Sequence, residues 1–137
     1  MDIVIDIDEF LVMRKHRHVA DFLEEYCEAG AVLLSWLVFG TSNNTVARTD
    51  VPVTKRFQYF SPSELTQFVK SIVRLEDFVR FTNVHWAHLR NGTTSKITGG
   101  KEFHYPRTQP ILTWDIAERK TDVAIIHHYR YKSRNEI

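Results

Sequence analysis

The nine residues Ala31-Val32-Leu33-Leu34-Ser35-Trp36-Leu37-Val38-Phe39 constrain this chain more than any other stretch. Only Ser35 interrupts their apolar character, and Gly30 and Gly40 bound them. A nearly continuous apolar run of this length, without alternation, predicts a strand covered on both faces. That is the position of a central strand in an α/β sheet.

Other patterns fit around that strand. Val19, Phe22, Leu23, Tyr26 and Cys27 recur at helical spacing, and Gly30 is placed to end the helix. Residues 40–50 are polar and rich in Ser and Asn, a loop leaving the central strand. Ser61-Pro62-Ser63-Glu64 has the pattern of a capping box with proline at the first helical position. Residues 68–74 and 78–81 read as strands parted by a turn at Glu76-Asp77, and Thr98-Gly99-Gly100-Lys101 marks another turn. A last strand spans residues 122–131.

Length and composition suit one folded domain over residues 1–137, with 43% hydrophobic and 12% aromatic residues and no repeats or linker-like tracts. A net charge of +1 gives no general electrostatic reason to expect nucleic acid. The basic run Arg14-Lys15-His16-Arg17-His18 reads as a solvated loop or helix face. One cysteine excludes an internal disulfide and a multi-cysteine zinc knuckle, and its helical phase predicts that Cys27 is buried. No segment reaches the roughly 18–20 apolar residues of a membrane span. The sequons Asn43-Asn44-Thr45 and Asn91-Gly92-Thr93 are compatible with a secretory location without requiring one.

Chemistry concentrates near the start. Ile3-Val4-Ile5 leads into Asp6-Ile7-Asp8-Glu9, as if an apolar strand ended in carboxylates. With eight aspartates in the chain, a chance D-x-D is expected about 0.5 times, so the context carries the signal. Carboxylates at an apolar strand end need a compensating charge. A hard divalent cation, Mn²⁺ or Mg²⁺, sharing its other positions with a phosphorylated substrate, would supply it. The alternative is a solvated strand end or a helix N-cap.

Seven histidines add further metal candidates. His85-Trp86-Ala87-His88 would set two imidazoles on one helix face, but it lacks the glutamate of a zinc-protease motif. In a strand only one of His127 and His128 can face a given site, and His128 is preferred here. Lys132 and Ser133 follow it, with a capping-box pattern over Ser133-Arg134-Asn135-Glu136 suited to phosphate. Trp36 reads as core before ligand platform, and Asn83-Val84-His85-Trp86 as a loop that either meets a sugar or serves structure alone.

Five segments occur in a telling order: Ile5-Asp6-Ile7-Asp8-Glu9-Phe10-Leu11, Leu34-Ser35-Trp36-Leu37-Val38-Phe39-Gly40, Val69-Lys70-Ser71-Ile72-Val73-Arg74, Asn83-Val84-His85 and His128-Tyr129-Arg130-Tyr131-Lys132-Ser133. Together they resemble the glycosyltransferase family 92 domain and related family 2-like enzymes of the GT-A fold. The resemblance implies an α/β chain with a partial nucleotide-diphospho-sugar transferase fold, a mixed sheet flanked by helices. It implies inverting transfer of a sugar, often galactose, from a nucleotide-sugar donor to a glycan acceptor. Asp6, Asp8 and His128 would hold Mn²⁺ (or Mg²⁺), Lys132 and Ser133 would lie at the donor phosphates, and Trp36 and His85 at the acceptor or substrate.

Four carboxylates stay open as the base that takes the acceptor proton: Glu9, Asp50, Glu64 and Asp77. There are departures from the family. His127 stands where asparagine is usual, and Thr41-Ser42-Asn43-Asn44 replaces a glycine–histidine continuation. The elements expected ahead of the D-x-D, which bind the nucleotide base, are not among these residues. Patterned elements also reach both ends of the chain, so it reads as an internal piece of a larger protein or a truncated gene product, with a Golgi lumen or membrane location implied by the resemblance if it is part of a longer protein. The competing functions are a non-catalytic carbohydrate-binding or interaction module derived from such a domain, and a histidine-rich metal hydrolase without a recognisable ligand pattern.

Overall fold

A computed structural model describes residues 1–60, 68–103 and 121–133. The expected central strand is β3 (Ala31–Val38), and all eight of its residues are buried. Its alternating side chains must be covered twice, and each Leu or Val removed from water contributes about 1.5–3 kcal/mol.

Six further strands join it in a mixed sheet: β1 (Asp2–Ile3), β2 (Glu9–Met13), β4 (Val69–Val73), β7 (Ser95–Ile97), β8 (Glu102–Phe103) and β9 (Ala124–His128). Along one edge β3 pairs antiparallel with β4. Along the other it pairs parallel with β7 through its first half and parallel with β9 through its second. β1 extends the sheet beyond β4, β8 extends it beyond β7, and β2 lies antiparallel to β9. β5 (Phe78–Phe81) and β6 (Ala87–Leu89) form a separate antiparallel pair.

α1 (Val19–Glu24) covers one face of the sheet. Phe22, Tyr26 and Ala29 pack there with Val32, Leu34, Trp36, Val38, Ile72, Ala124 and Ile126. On the other face Leu33, Val69 and Ile97 meet Trp86, while Ala31 and Val73 meet Ala87, Phe78 and Leu89 from the β5–β6 pair. Leu37, Phe39, Ile125 and Tyr129 bury Phe57, just after the short helix α2 (Val53–Arg56). The class is therefore mixed α/β, mostly strand, with few and short helices. Among the described residues no helix is long and apolar enough to cross a membrane.

Three local expectations are corrected. The N-terminal apolar run is not one buried strand: β1 has two residues and ends before Val4, and Ile7 is 98% exposed. Asp6 to Glu9 form a turn between β1 and β2, closed by Glu9 N–H donating to the Asp6 carbonyl at 3.0 Å. Cys27 is exposed, because the helix ends at Glu24 and the chain tightens to i+3 bonds, Tyr26 to Leu23 and Cys27 to Glu24. That tightening rotates Cys27 off the apolar face.

His85 and His88 share no helix. Asn83 Oδ1 accepts the His85 and Trp86 amides at 2.8 and 3.2 Å, which turns the chain into strand β6. The asparagine's local bonding outcompetes helical spacing. Strands β4 and β5 and the turn between β7 and β8 lie where their patterns put them, with Gly99 and Gly100 at φ of 99° and 90°, whereas the last strand is shorter than the expected 122–131. The pattern at Ser61-Pro62-Ser63-Glu64 lies outside the described residues, as do residues 134–136 of the second capping pattern.

Candidate functional site

Register gathers the polar residues at one end of the sheet. β3 and β9 run parallel, so Val38 and His128 are opposite each other near their C-terminal ends. β2 runs against β9, which places Glu9, its first residue, opposite His128. β4 runs against β3 and brings Lys70 opposite Leu34. Alternation then puts Glu9, His128, Val38, Trp36, Leu34 and Lys70 on the face that α1 covers farther down. The C-terminal ends of parallel strands are where open α/β sheets bind ligands.

The Asp6–Glu9 turn arches over this end. Tyr129 N–H donates to the Asp8 carbonyl at 2.9 Å, and Phe39 N–H donates to the His128 carbonyl at 2.9 Å. These two bonds tie the turn to β9, and β9 to β3. Asp8 Oδ1 consequently lies 3.5 Å from His128 Nε2.

Asp6 is directed elsewhere. Its Oδ2 lies 3.3 Å from Lys70 Nζ, and the same ammonium is 3.1 Å from Glu9 Oε2. Lys70 is 1% exposed and also sits 5.7 Å from the Trp36 ring centre. Glu9 Oε2 additionally accepts the Asp6 amide at 2.8 Å.

Trp36 is buried and touches most of the cluster. Its ring lies edge-on to His128 at 4.4 Å, to His85 at 5.0 Å, and tilted to Phe68 at 5.5 Å. The core reading of Trp36 therefore describes it better than a ligand platform. His85 Nδ1 is 3.0 Å from the Val69 carbonyl, which leaves the other ring nitrogen as its outward polar atom. His127 points to the opposite face, tilted 4.7 Å from Phe39. Ser133 is fully buried, so its hydroxyl does not face a ligand, whereas Lys132 is partly exposed.

Of the four open base candidates, Glu9 has a fully buried side chain. Asp50 pairs with Arg48 at 2.8 Å in an exposed loop. Asp77 pairs with Arg74 past the far end of β4. Glu64 lies outside the described residues.

Burial decides the state of the histidines. It pushes His128 below the usual imidazole range, although Asp8 and Glu9 pull the other way. Burial likewise lowers His85, against its bond to the Val69 carbonyl, and lowers His127, with Arg14 adding to the effect. All three are thus neutral near pH 7, the form that ligates metals.

A stability prediction follows with a definite sign. Above about pH 6.5 the folded and unfolded histidines are both neutral, so the shifts have no effect on stability. Below it the unfolded chain takes up protons that the folded chain refuses, so stability falls with falling pH until the folded imidazoles also protonate. The thermal midpoint of metal-free protein is expected to drop between about pH 7 and about pH 5, and less steeply in His128→Gln. An unchanged midpoint over that interval would contradict the burial of these rings.

The donor set fits a divalent cation only in part. Among the described residues no three His, Cys, Asp or Glu side chains converge as a complete metal cage. Yet Lys70 compensates only two of the three carboxylates, Asp6 and Glu9, while Asp8 faces the His128 ring, so formal negative charge is left over at the turn. Asp8 Oδ1 and His128 Nε2 form an oxygen–nitrogen pair 3.5 Å apart, and a hard cation completed by phosphate and water needs few ligands from protein.

Lys70 was the residue whose part the sequence pattern did not announce. A signal was present: it is the one charged residue inside Val69-Lys70-Ser71-Ile72-Val73, and a buried strand lysine requires a carboxylate. No family model matches the chain, and no curated protein matches it in sequence.

Proposed function

We propose that this end of the sheet is the metal and donor-phosphate side of a metal-dependent glycosyltransferase site of partial GT-A type. The reaction is transfer of a sugar from a nucleotide-sugar to a glycan hydroxyl. The observation that carries the reading is the 3.5 Å approach of Asp8 Oδ1 to His128 Nε2, two residues from opposite ends of the chain meeting at the C-terminal ends of β3 and β9. The order of the five resembling segments supports it as well.

Asp8 and His128 would hold Mn²⁺ or Mg²⁺. The cation would neutralise charge on the departing nucleoside diphosphate. Asp6, engaged by Lys70, shapes the turn and adds negative potential without reaching the His128 ring. Lys132, four residues beyond His128 and partly exposed, would approach a donor phosphate.

A second reading has one observation in its favour. Lys70 already compensates part of the carboxylate charge, as it would in a non-catalytic carbohydrate-binding module that never loads metal.

Calorimetry separates the two. Wild-type protein titrated with Mn²⁺, alone and with a panel of nucleotide-sugars, is expected to bind metal and then donor. Asp8→Asn is expected to weaken Mn²⁺ binding about 10-fold or more at unchanged thermal midpoint. Folded wild-type protein that gives no metal-dependent heat would rule the transferase reading out in favour of the module.

A further inference from the structure

Besides the Trp36 indole nitrogen, two polar atoms in this cluster are buried without a hydrogen-bond partner among the described residues, and they face each other. They are Glu9 Oε1 and His128 Nδ1, 4.0 Å apart. The Glu9 side chain is fully buried and that of His128 is 7% exposed, so bulk water cannot satisfy either atom. An unmade buried hydrogen bond leaves each such group desolvated with nothing in return.

One proton resolves both. If Nδ1 carries it, the imidazole donates to Glu9 Oε1, and closing the gap to a normal hydrogen bond takes a movement of about 1 Å. If Nδ1 does not carry it, two lone-pair acceptors confront each other in a dry pocket. The other ring nitrogen is less constrained, although it lies 3.5 Å from a carboxylate oxygen. Nε2 faces Asp8, whose side chain is 25% exposed and open to solvation.

Glu9 is well braced for this task. Its Oε2 is held by the Lys70 ammonium and by the Asp6 amide, so the carboxylate cannot swing away, and Oε1 is left directed at the ring.

We propose that Glu9 is the positioning carboxylate of His128, taking the proton on Nδ1 and so presenting the Nε2 lone pair beside Asp8 to a divalent cation. The inference rests on the reading of Asp8 and His128 as metal ligands. It also removes Glu9 from the possible bases, because its free oxygen is spent on the imidazole. Outer carboxylates that orient a metal-bound histidine generally change metal affinity about 10–100-fold when altered.

The test reads the tautomer directly, before any metal is added. Nitrogen-15 chemical shifts of the His128 ring in metal-free protein at neutral pH are expected to show the proton on Nδ1. Glu9→Gln should invert this. Lys70 and the Asp6 amide are both donors, so the variant's amide carbonyl takes the position facing them. The amide NH₂ then faces Nδ1, which must offer its lone pair, and the ring proton moves to Nε2. His127, on the other face of the sheet, serves as the internal reference and should not change.

With Nε2 protonated, Mn²⁺ affinity is expected to fall about 10–100-fold in Glu9→Gln. A wild-type ring protonated on Nε2, or the same tautomer in both proteins, overturns the proposal. Should the variant not fold, the wild-type spectrum decides alone. An Nδ1-protonated wild-type ring in a protein that binds no Mn²⁺ would sustain the Glu9 contact and overturn the metal reading instead.

Discussion

Lys70→Met is expected to destabilise the protein by about 3–5 kcal/mol, read as a lower urea midpoint at constant slope. The ammonium is 1% exposed and holds two carboxylates, one of which, Glu9, has no solvent exposure. Deleting the cation leaves a buried anion whose nearest remaining compensation is one backbone amide. Asp6 contributes little to this loss, since its side chain is 57% exposed and water replaces the lost partner.

The pair can be separated from mere packing by a second substitution. Lys70→Met combined with Glu9→Leu removes both charges, and most of the lost stability should return. A single-variant cost below about 1 kcal/mol would mean the contact behaves like a surface ion pair, and the compensating role of Lys70 would fail.

Trp36→Ala is the second large effect, expected at about 3–5 kcal/mol. The indole lies among Val32, Leu34, Val38, Ile72 and Ile126, and its ring contacts Phe68, His85 and His128. Removing it opens a cavity between the core and the polar cluster, so Mn²⁺ binding should weaken together with stability. Trp36→Phe keeps an aromatic face toward His128 and should lose much less of both. Thermal and urea unfolding check the first quantity, and calorimetry the second. A Trp36→Ala protein as stable as wild type would return Trp36 to the role of an exposed ligand platform.

The two residues differ in how visible they were. Trp36 sits in an unbroken apolar run, and burial of such a run is a local property that each neighbour reinforces. Its place in the core could be read without knowing the fold. Lys70 also stood in an apolar strand, but the sequence around it named no partner. Its carboxylates are far along the chain, Asp6 being 64 positions away.

The Asp6-Ile7-Asp8 motif was visible for the same reason it was misplaced. The apolar residues before it suggested a buried strand, yet that segment borders the sheet only through the two residues of β1. At an edge there is little to bury against, so Val4, Ile5 and Ile7 stay exposed. The turn closed by Glu9 then sets the direction of the carboxylates. The histidine pattern at 85–88 failed differently: side-chain bonding by Asn83 set a turn that hydrophobic spacing does not register.

By itself the sequence determined the central strand β3, strands β4, β5 and β9, the glycine turn at 99–100, and which residue types could do chemistry. These follow from periodicity and backbone freedom, which act over a few neighbouring positions. Only the tertiary structure decided that Asp8 meets His128, that Asp6 goes to Lys70, and that Glu9 lies buried behind the imidazole. Those choices depend on strand order and register. Both arise when segments distant in the chain pair, and a buried charge accepts whichever partner that pairing delivers.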